Sequence, residues 1–204
     1  MDIPPQDSRR QNQPGDTMSV ATRLLDAGEM AQTLEKLASR ILENHARCEN
    51  VMLVGIQRRG ADLAHRLADL LKKRLGRPVP LGTLDINLYR DDWTSLAGKT
   101  PHVGQSRIDE GVDNRTVILV DDVLYTGRTV RAALEALLDY GRPSSVELLA
   151  LVDRGHRELP IHADYVGLAV CTDRQEQVNV LLTERDGEDV VRLERPGSAG
   201  ATPR

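Results

Sequence analysis

Two adjacent carboxylates, Asp121 and Asp122, directly follow the apolar run Val117-Ile118-Leu119-Val120 and precede Val123-Leu124-Tyr125-Thr126-Gly127-Arg128-Thr129. Paired carboxylates accept hydrogen bonds from hydroxyls and can help hold a metal-bound substrate. The stretch Thr126 to Thr129 offers successive backbone amides and two hydroxyls, and a helix starting there adds partial positive charge. Gly127 lets the backbone approach an anion closely. A ribose phosphate, with hydroxyls at one end and phosphate at the other, would satisfy both halves. An isolated Asp-Asp pair usually does no more than cap a turn; here strand, acid pair and small-residue turn come together. The chain has neither GxxxxGK[ST] nor a dinucleotide fingerprint, so those phosphate binders are excluded. None of the five histidines stands with a Ser or Cys in a nucleophile signature, so acyl transfer has no support.

Chemistry of this kind needs strands that end in loops. Val117–Val120 reads as a buried strand, followed by a helix with Val130, Leu134, Leu137 and Leu138 on one face, ended by Gly141 and Pro143. Val51 to Ile56 is a second apolar run, leaving through Gly55-Ile56-Gln57-Arg58-Arg59-Gly60 into a helix striped by Leu63, Leu67, Leu70 and Leu71. Asp26 and Glu29 form a capping pair for a helix with Leu34, Leu37, Ala38, Ile41 and Leu42 inward. Leu84, Ile86 and Leu88 alternate with polar residues, which predicts a half-buried strand. Residues 90–112 fit no regular element and read as a lid-like loop. Further strands are expected at Val146–Val152, 165–170, 178–182 and 189–193. Continuous apolar strands between amphipathic helices predict an α/β fold, a mostly parallel sheet flanked by helices, with ligands at the carboxyl ends of the strands. One domain is expected over 18–194, between disordered tails at 1–17 and 195–204.

Composition narrows the partners. With 204 residues the chain fits a single domain with a sizeable core. Aromatic residues make up 2% and Phe is absent, so aromatic base-stacking platforms are not expected. A net charge of -4 excludes a chain coated in cations for indiscriminate nucleic-acid binding, though not a local basic face. Cys48 and Cys171 stand in no metal-ligand spacing and are expected as reduced, at least half-buried thiols. The polar start is no secretory signal and no apolar run is long enough to span a bilayer, so a cytoplasmic protein is expected.

The stretch Val117–Thr129 matches the signature by which type I phosphoribosyltransferases bind 5-phosphoribosyl-1-pyrophosphate (PRPP). Over about residues 20–190 the chain resembles the pyrimidine operon attenuation regulators that are also uracil phosphoribosyltransferases. The resemblance is carried by Leu-Tyr-Arg-Asp-Asp at 88–92, Val-Asp-Asp-Val-Leu-Tyr-Thr-Gly-Arg-Thr at 120–129, and Leu-Val-Asp-Arg-Gly-His-Arg-Glu-Leu-Pro at 151–160. It implies the type I fold with a flexible hood, and PRPP held by Val120, Asp121, Asp122, Tyr125, Thr126, Gly127, Arg128 and Thr129. Magnesium would meet Asp121 and Asp122, partly through substrate and water. Gln57, Arg58, Arg59 and Gly60 would form the pyrophosphate loop, with Arg90 and Arg107 closing from the hood. Val152, Asp153 and Arg154 would lie beside uracil. The implied reaction converts uracil and PRPP to UMP and pyrophosphate.

The same resemblance implies a homodimer or larger assembly that binds an attenuator hairpin in messenger RNA when UMP or UTP is present. Lys36, Arg40, His156, Arg157 and Arg174 are available for that face. Glu35, His162 and Leu168 stand where relatives tend to carry basic residues or hydroxyls, and a Glu facing phosphate is repulsive. Two other readings keep the PRPP site: salvage of a different nucleobase without RNA, and a nucleotide-sensing RNA regulator without turnover.

Overall fold

The computed structural model of the chain describes residues 20–91 and 105–195. Most of the expected tails, and the centre of the expected hood, lie outside them. The five strands β2 (Val51–Ile56), β3 (Leu81–Leu84), β4 (Thr116–Leu124), β5 (Ser145–Asp153) and β6 (Tyr165–Ala169) form one sheet in the order β3-β2-β4-β5-β6. Every pairing in it is parallel. The helices α1 (Ala27–Asn44) and α2 (Arg59–Leu75) pack on one face, α3 (Arg128–Leu138) on the other.

The apolar runs are continuous because both faces are covered. Within β4, Ile118 and Val120 join the core under α1 and α2, while Val117 and Leu119 join the core under α3. Leu34, Leu37, Leu63, Leu67 and Leu71 fill the first core as expected, each contributing roughly 2 kcal/mol by burial. The capping box of α1 is present, with Asp26 accepting from the Glu29 N–H and Glu29 from the Asp26 N–H, each at 2.9 Å.

A second sheet was only partly legible. β1 (Val20–Leu25), β7 (Gln177–Leu181) and β8 (Val190–Arg195) pair antiparallel in the order β1-β8-β7, and a short helix α4 (Thr183–Asp186) joins the last two. Arg195, assigned from sequence to the C-terminal tail, is the last residue of β8, paired with Val20 and bonded to Glu176 at 2.7 Å. Ion pairs fasten this unit to α2: Arg59 to Asp186 at 3.0 Å, Arg185 to Asp62, and Arg66 to Glu184 at 2.5 Å and Asp189 at 2.7 Å. The Arg66 guanidinium holds the Asp189 carboxyl down at about 2.

Three expectations need correction. β3 stops at Leu84: the Asn87 N–H turns back to the Asp85 side chain at 2.9 Å, a local turn that competes with the strand, and Asn87–Tyr89 forms a 3-10 turn. Leu88 is consequently exposed, and so is Leu138 at the end of α3. Cys48 is buried, but Cys171 is exposed, and both thiols are free. No helix among the described residues is long and apolar enough to cross a membrane.

Candidate active site

The sequence order of the strands reverses between β2 and β4, and crevices for ligands form at such a switch point. Gly55 pairs with Val120 across it, so the loop leaving β2 comes up beside the acid pair, which lies within β4. Their approach is close: a Cβ on Gly60 would lie 2.3 Å from the Val120 carbonyl oxygen and 3.2 Å from the Asp121 Cα. The cleft holds about 340 Å³ and is lined from the acid pair by Asp121, from the turn by Tyr125 to Thr129, and from the hood base by Arg90 and Asp91.

Asp121 is buried and Asp122 partly so; each accepts the N–H of the following residue at 3.0 Å. Burial, followed by the Asp122 charge, pushes the Asp121 carboxyl well above its usual range. Burial raises Asp122 as well, against the pull of Arg59. Two desolvated carboxylates gain by meeting hydroxyl donors or a cation. Gly127, at φ +92, turns the chain into α3 and, as its N-cap residue, has no side chain to cap it; the Arg128 N–H meets only Thr126 Oγ1, at 3.4 Å. Its first N–H groups therefore face the cleft as an anion cradle. Thr126 and Thr129 line the same cradle.

The pyrophosphate-loop residues divide. Gly60 is the buried contact with β4, and the Gln57 side chain donates to the Gln105 carbonyl at 2.9 Å, tying the loop to the hood's returning arm. Arg58 is exposed, whereas Arg59 is committed to Asp186. Arg90 lines the cleft. Arg107 is exposed and outside the cleft lining, its backbone bridged to Thr83 in both directions at 2.8 Å.

The residues expected beside uracil lie at the carboxyl end of β5, the strand next to β4. Val152 is wholly buried in the core, and Val123 and Leu124, which pair with Val152 and Asp153, line the cleft in their place. The Arg154 N–H is bonded to the Leu124 carbonyl at 3.1 Å and the Asp153 carbonyl to the Val170 N–H at 2.9 Å. Burial would raise the Asp153 carboxyl, but hydrogen bonds from Arg157 and the Gly155 N–H hold it below its usual range. Arg154, 6% exposed, lays its guanidinium 4.2 Å from the Tyr125 ring centre and bonds Thr172 and Asp173.

Two of the five residues assigned to an RNA face are also turned inward. Left-handed backbone at Gly155 (φ 73) and His156 (φ 58) folds the next residue back into the protein. Arg157 then bonds Asp153 at 2.5 Å and the carbonyls of Tyr125 at 2.8 Å, Gly155 at 3.0 Å and Ile161 at 2.9 Å. His156 bonds the Thr172 carbonyl at 2.5 Å and meets the Tyr125 ring edge-on. Arg40, although exposed, bonds the Asp164 carbonyl at 3.0 Å and lies over the Tyr165 ring. Lys36 and Arg174 are exposed. Glu35 pairs with Arg74, which offsets its negative charge, and Leu168 packs against the core. An Arg157→Ala variant is expected to lose about 3 kcal/mol of stability, because Asp153 would keep only the Gly155 N–H and the Tyr125, Gly155 and Ile161 carbonyls would lose this donor. A urea midpoint equal to wild type would contradict this clamp.

Sequence reasoning missed Asp91 and Glu158, both of which hold the Arg128 side chain, at 2.9 and 2.7 Å. Both lie inside quoted motifs, so their presence was visible; their convergence was not.

Comparison with known proteins agrees with this geometry. The phosphoribosyl transferase domain family matches residues 20–183. The bifunctional protein PyrR of Desulfosudis oleivorans is 52% identical over 180 residues, covering 88% of this chain and 99% of that relative. The PyrR of Thermus thermophilus is 50% identical over 182 residues, covering 89% and 100%. Among solved structures, a hypoxanthine phosphoribosyltransferase of Trypanosoma cruzi superimposes with a TM-score of 0.63 at 18% identity, covering 85% of this chain and 96% of that one, which speaks to the fold alone. The chain thus belongs to the phosphoribosyl transferase family, within its branch of bifunctional PyrR proteins.

Proposed function

We infer that this protein transfers the phosphoribosyl group of PRPP to uracil, giving UMP and pyrophosphate, and that it regulates pyrimidine-operon transcription by binding messenger RNA in response to uridine nucleotides. The observation carrying this reading is the acid pair, with Asp121 buried, set beside a helix start whose N-cap residue is a glycine, at the sheet's switch point. In this reading the turn Thr126 to Thr129 and the α3 N-terminus grip the 5′-phosphate, and Asp121 and Asp122 accept the ribose hydroxyls. Uracil N1 attacks C1′ as pyrophosphate leaves, so C1′ becomes oxocarbenium-like while charge grows on the leaving group. The loop from Gln57 to Gly60 and Arg90 hold that charge better in the transition state than in the ground state.

Among the described residues no cluster of three or more His, Cys, Asp or Glu could hold a metal ion. The two aspartates fit a magnesium ion that arrives with PRPP, bound through substrate oxygens and water. Magnesium would supply added neutralisation of the pyrophosphate.

Arg58→Ala is expected to slow UMP formation by about 10²-fold with an unchanged melting temperature, because this exposed guanidinium is the loop's uncommitted cation. An unaltered rate would remove Arg58 from the site. For the RNA half, the reading requires hairpin affinity that rises with UMP and falls with salt. Arg174→Ala should weaken that affinity and leave turnover intact. Hairpin binding indifferent to uridine nucleotides would leave the enzyme alone. A homodimer or larger assembly belongs to the same reading, with sedimentation as its test.

A further inference from the structure

The Arg128 side chain lines the mouth of the cleft, yet it is bonded to two carboxylates. Its Nε donates to Glu158 at 2.7 Å and its Nη1 to Asp91 at 2.9 Å. Asp91 begins the hood arm, and its other oxygen accepts from Arg131, which also donates to the Tyr89 carbonyl at 2.7 Å. Glu158 belongs to the opposite loop, whose N–H groups at Glu158 and Leu159 bond the Thr126 carbonyl at 2.9 and 3.2 Å. One guanidinium therefore bridges the two segments that flank the anion cradle. Arg geometry suits this: its planar fork reaches two acceptors at once, which a Lys ammonium cannot reproduce. The two carboxylates, left alone, would face the approach path of a polyanionic substrate and repel it.

We propose that the Arg128 side chain is a positioning residue: it fastens hood base to opposite loop and cancels Asp91 and Glu158 at the cleft mouth, and it does not itself grip phosphate. Only its backbone belongs to the cradle. The proposal rests on the cleft's receiving PRPP, and it separates two roles that the motif alone leaves merged. A phosphate ligand would be irreplaceable, whereas a charge-cancelling bridge becomes dispensable once the carboxylates are gone.

The test compares PRPP affinity by calorimetry, and KM and kcat for UMP formation, in wild type, Arg128→Gln, Arg128→Lys and the triple variant Arg128→Gln/Asp91→Asn/Glu158→Gln. Arg128→Gln should weaken PRPP binding about tenfold, with kcat changed less than threefold and the loss shrinking as salt screens the carboxylates. Arg128→Lys should fall between, and the triple variant should recover to within about threefold of wild type. A triple variant as weak as Arg128→Gln would overturn the proposal in favour of direct phosphate contact, and an Arg128→Gln affinity equal to wild type would overturn it outright. Wild-type protein that binds PRPP but makes no UMP would count against the uracil-transfer reading, while the calorimetric series would still decide the role of Arg128.

Discussion

Turnover by an Asp122→Ala variant is expected to fall by about 10³-fold, with little loss of stability. In the proposed reading this carboxylate accepts a ribose hydroxyl, and burial raises its affinity for a proton. Asp121, buried more deeply, makes the complementary case. A carboxyl whose folded pKa is raised holds its proton more tightly folded than unfolded. Its favourable contribution is therefore full at low pH and is lost as pH rises through the folded value. Asp121→Asn removes that cost while keeping an acceptor for the Asp122 N–H. It should raise the melting temperature at pH 7 by about 3 °C, flatten its dependence on pH above 5, and abolish turnover. The same titration makes PRPP affinity rise as pH climbs through the raised folded values, where the pair ionises to meet hydroxyls and cation. Calorimetric melting of Asp121→Asn across pH decides this. A variant that melts below wild type at every pH would mean the carboxylate is structural.

Gly60→Ala is the second large effect, and here fold and site fail together. The added Cβ would need to sit 2.3 Å from the Val120 carbonyl oxygen, and backbone cannot yield as a side-chain tip can. The pyrophosphate loop must therefore move off β4, at about 3 kcal/mol, with the rate of UMP formation falling by at least about 10²-fold. Gly76→Ala is the control, since nothing lies near its Cβ position and only its left-handed φ of 71 is strained. Urea midpoints and steady-state rates of both variants separate clash from strain. Gly60→Ala with wild-type rates would mean that this contact does not set the site.

Local signals reached the sheet and the cradle, because both are written in contiguous residues. Val117 to Thr129 carries strand, acid pair, turn and helix start in one stretch. The Asp26 and Glu29 capping box needs three residues' separation. What escaped was pairing across distance. β1 is six residues with no periodicity strong enough to compete with the helix behind it, and it exists because β8, far along the chain, hydrogen bonds to it. Leu88 obeyed the alternation, but a turn at Asp85 overrode it. The inward course of Arg157 depends on two left-handed residues that a positive charge after Gly-His does not announce. The Arg128 bridge joins residues 37 and 30 positions apart. That Val152 and Asp153 pair with Val123 and Leu124 of the cleft is a matter of strand register, which no contiguous stretch states.

The central claim is most directly tested by incubating the protein with PRPP, magnesium and, separately, uracil, orotate, hypoxanthine, guanine or adenine, and measuring nucleotide and pyrophosphate. The account predicts UMP and equimolar pyrophosphate from uracil alone. A nucleotide formed from a purine, or none from any base, would contradict it.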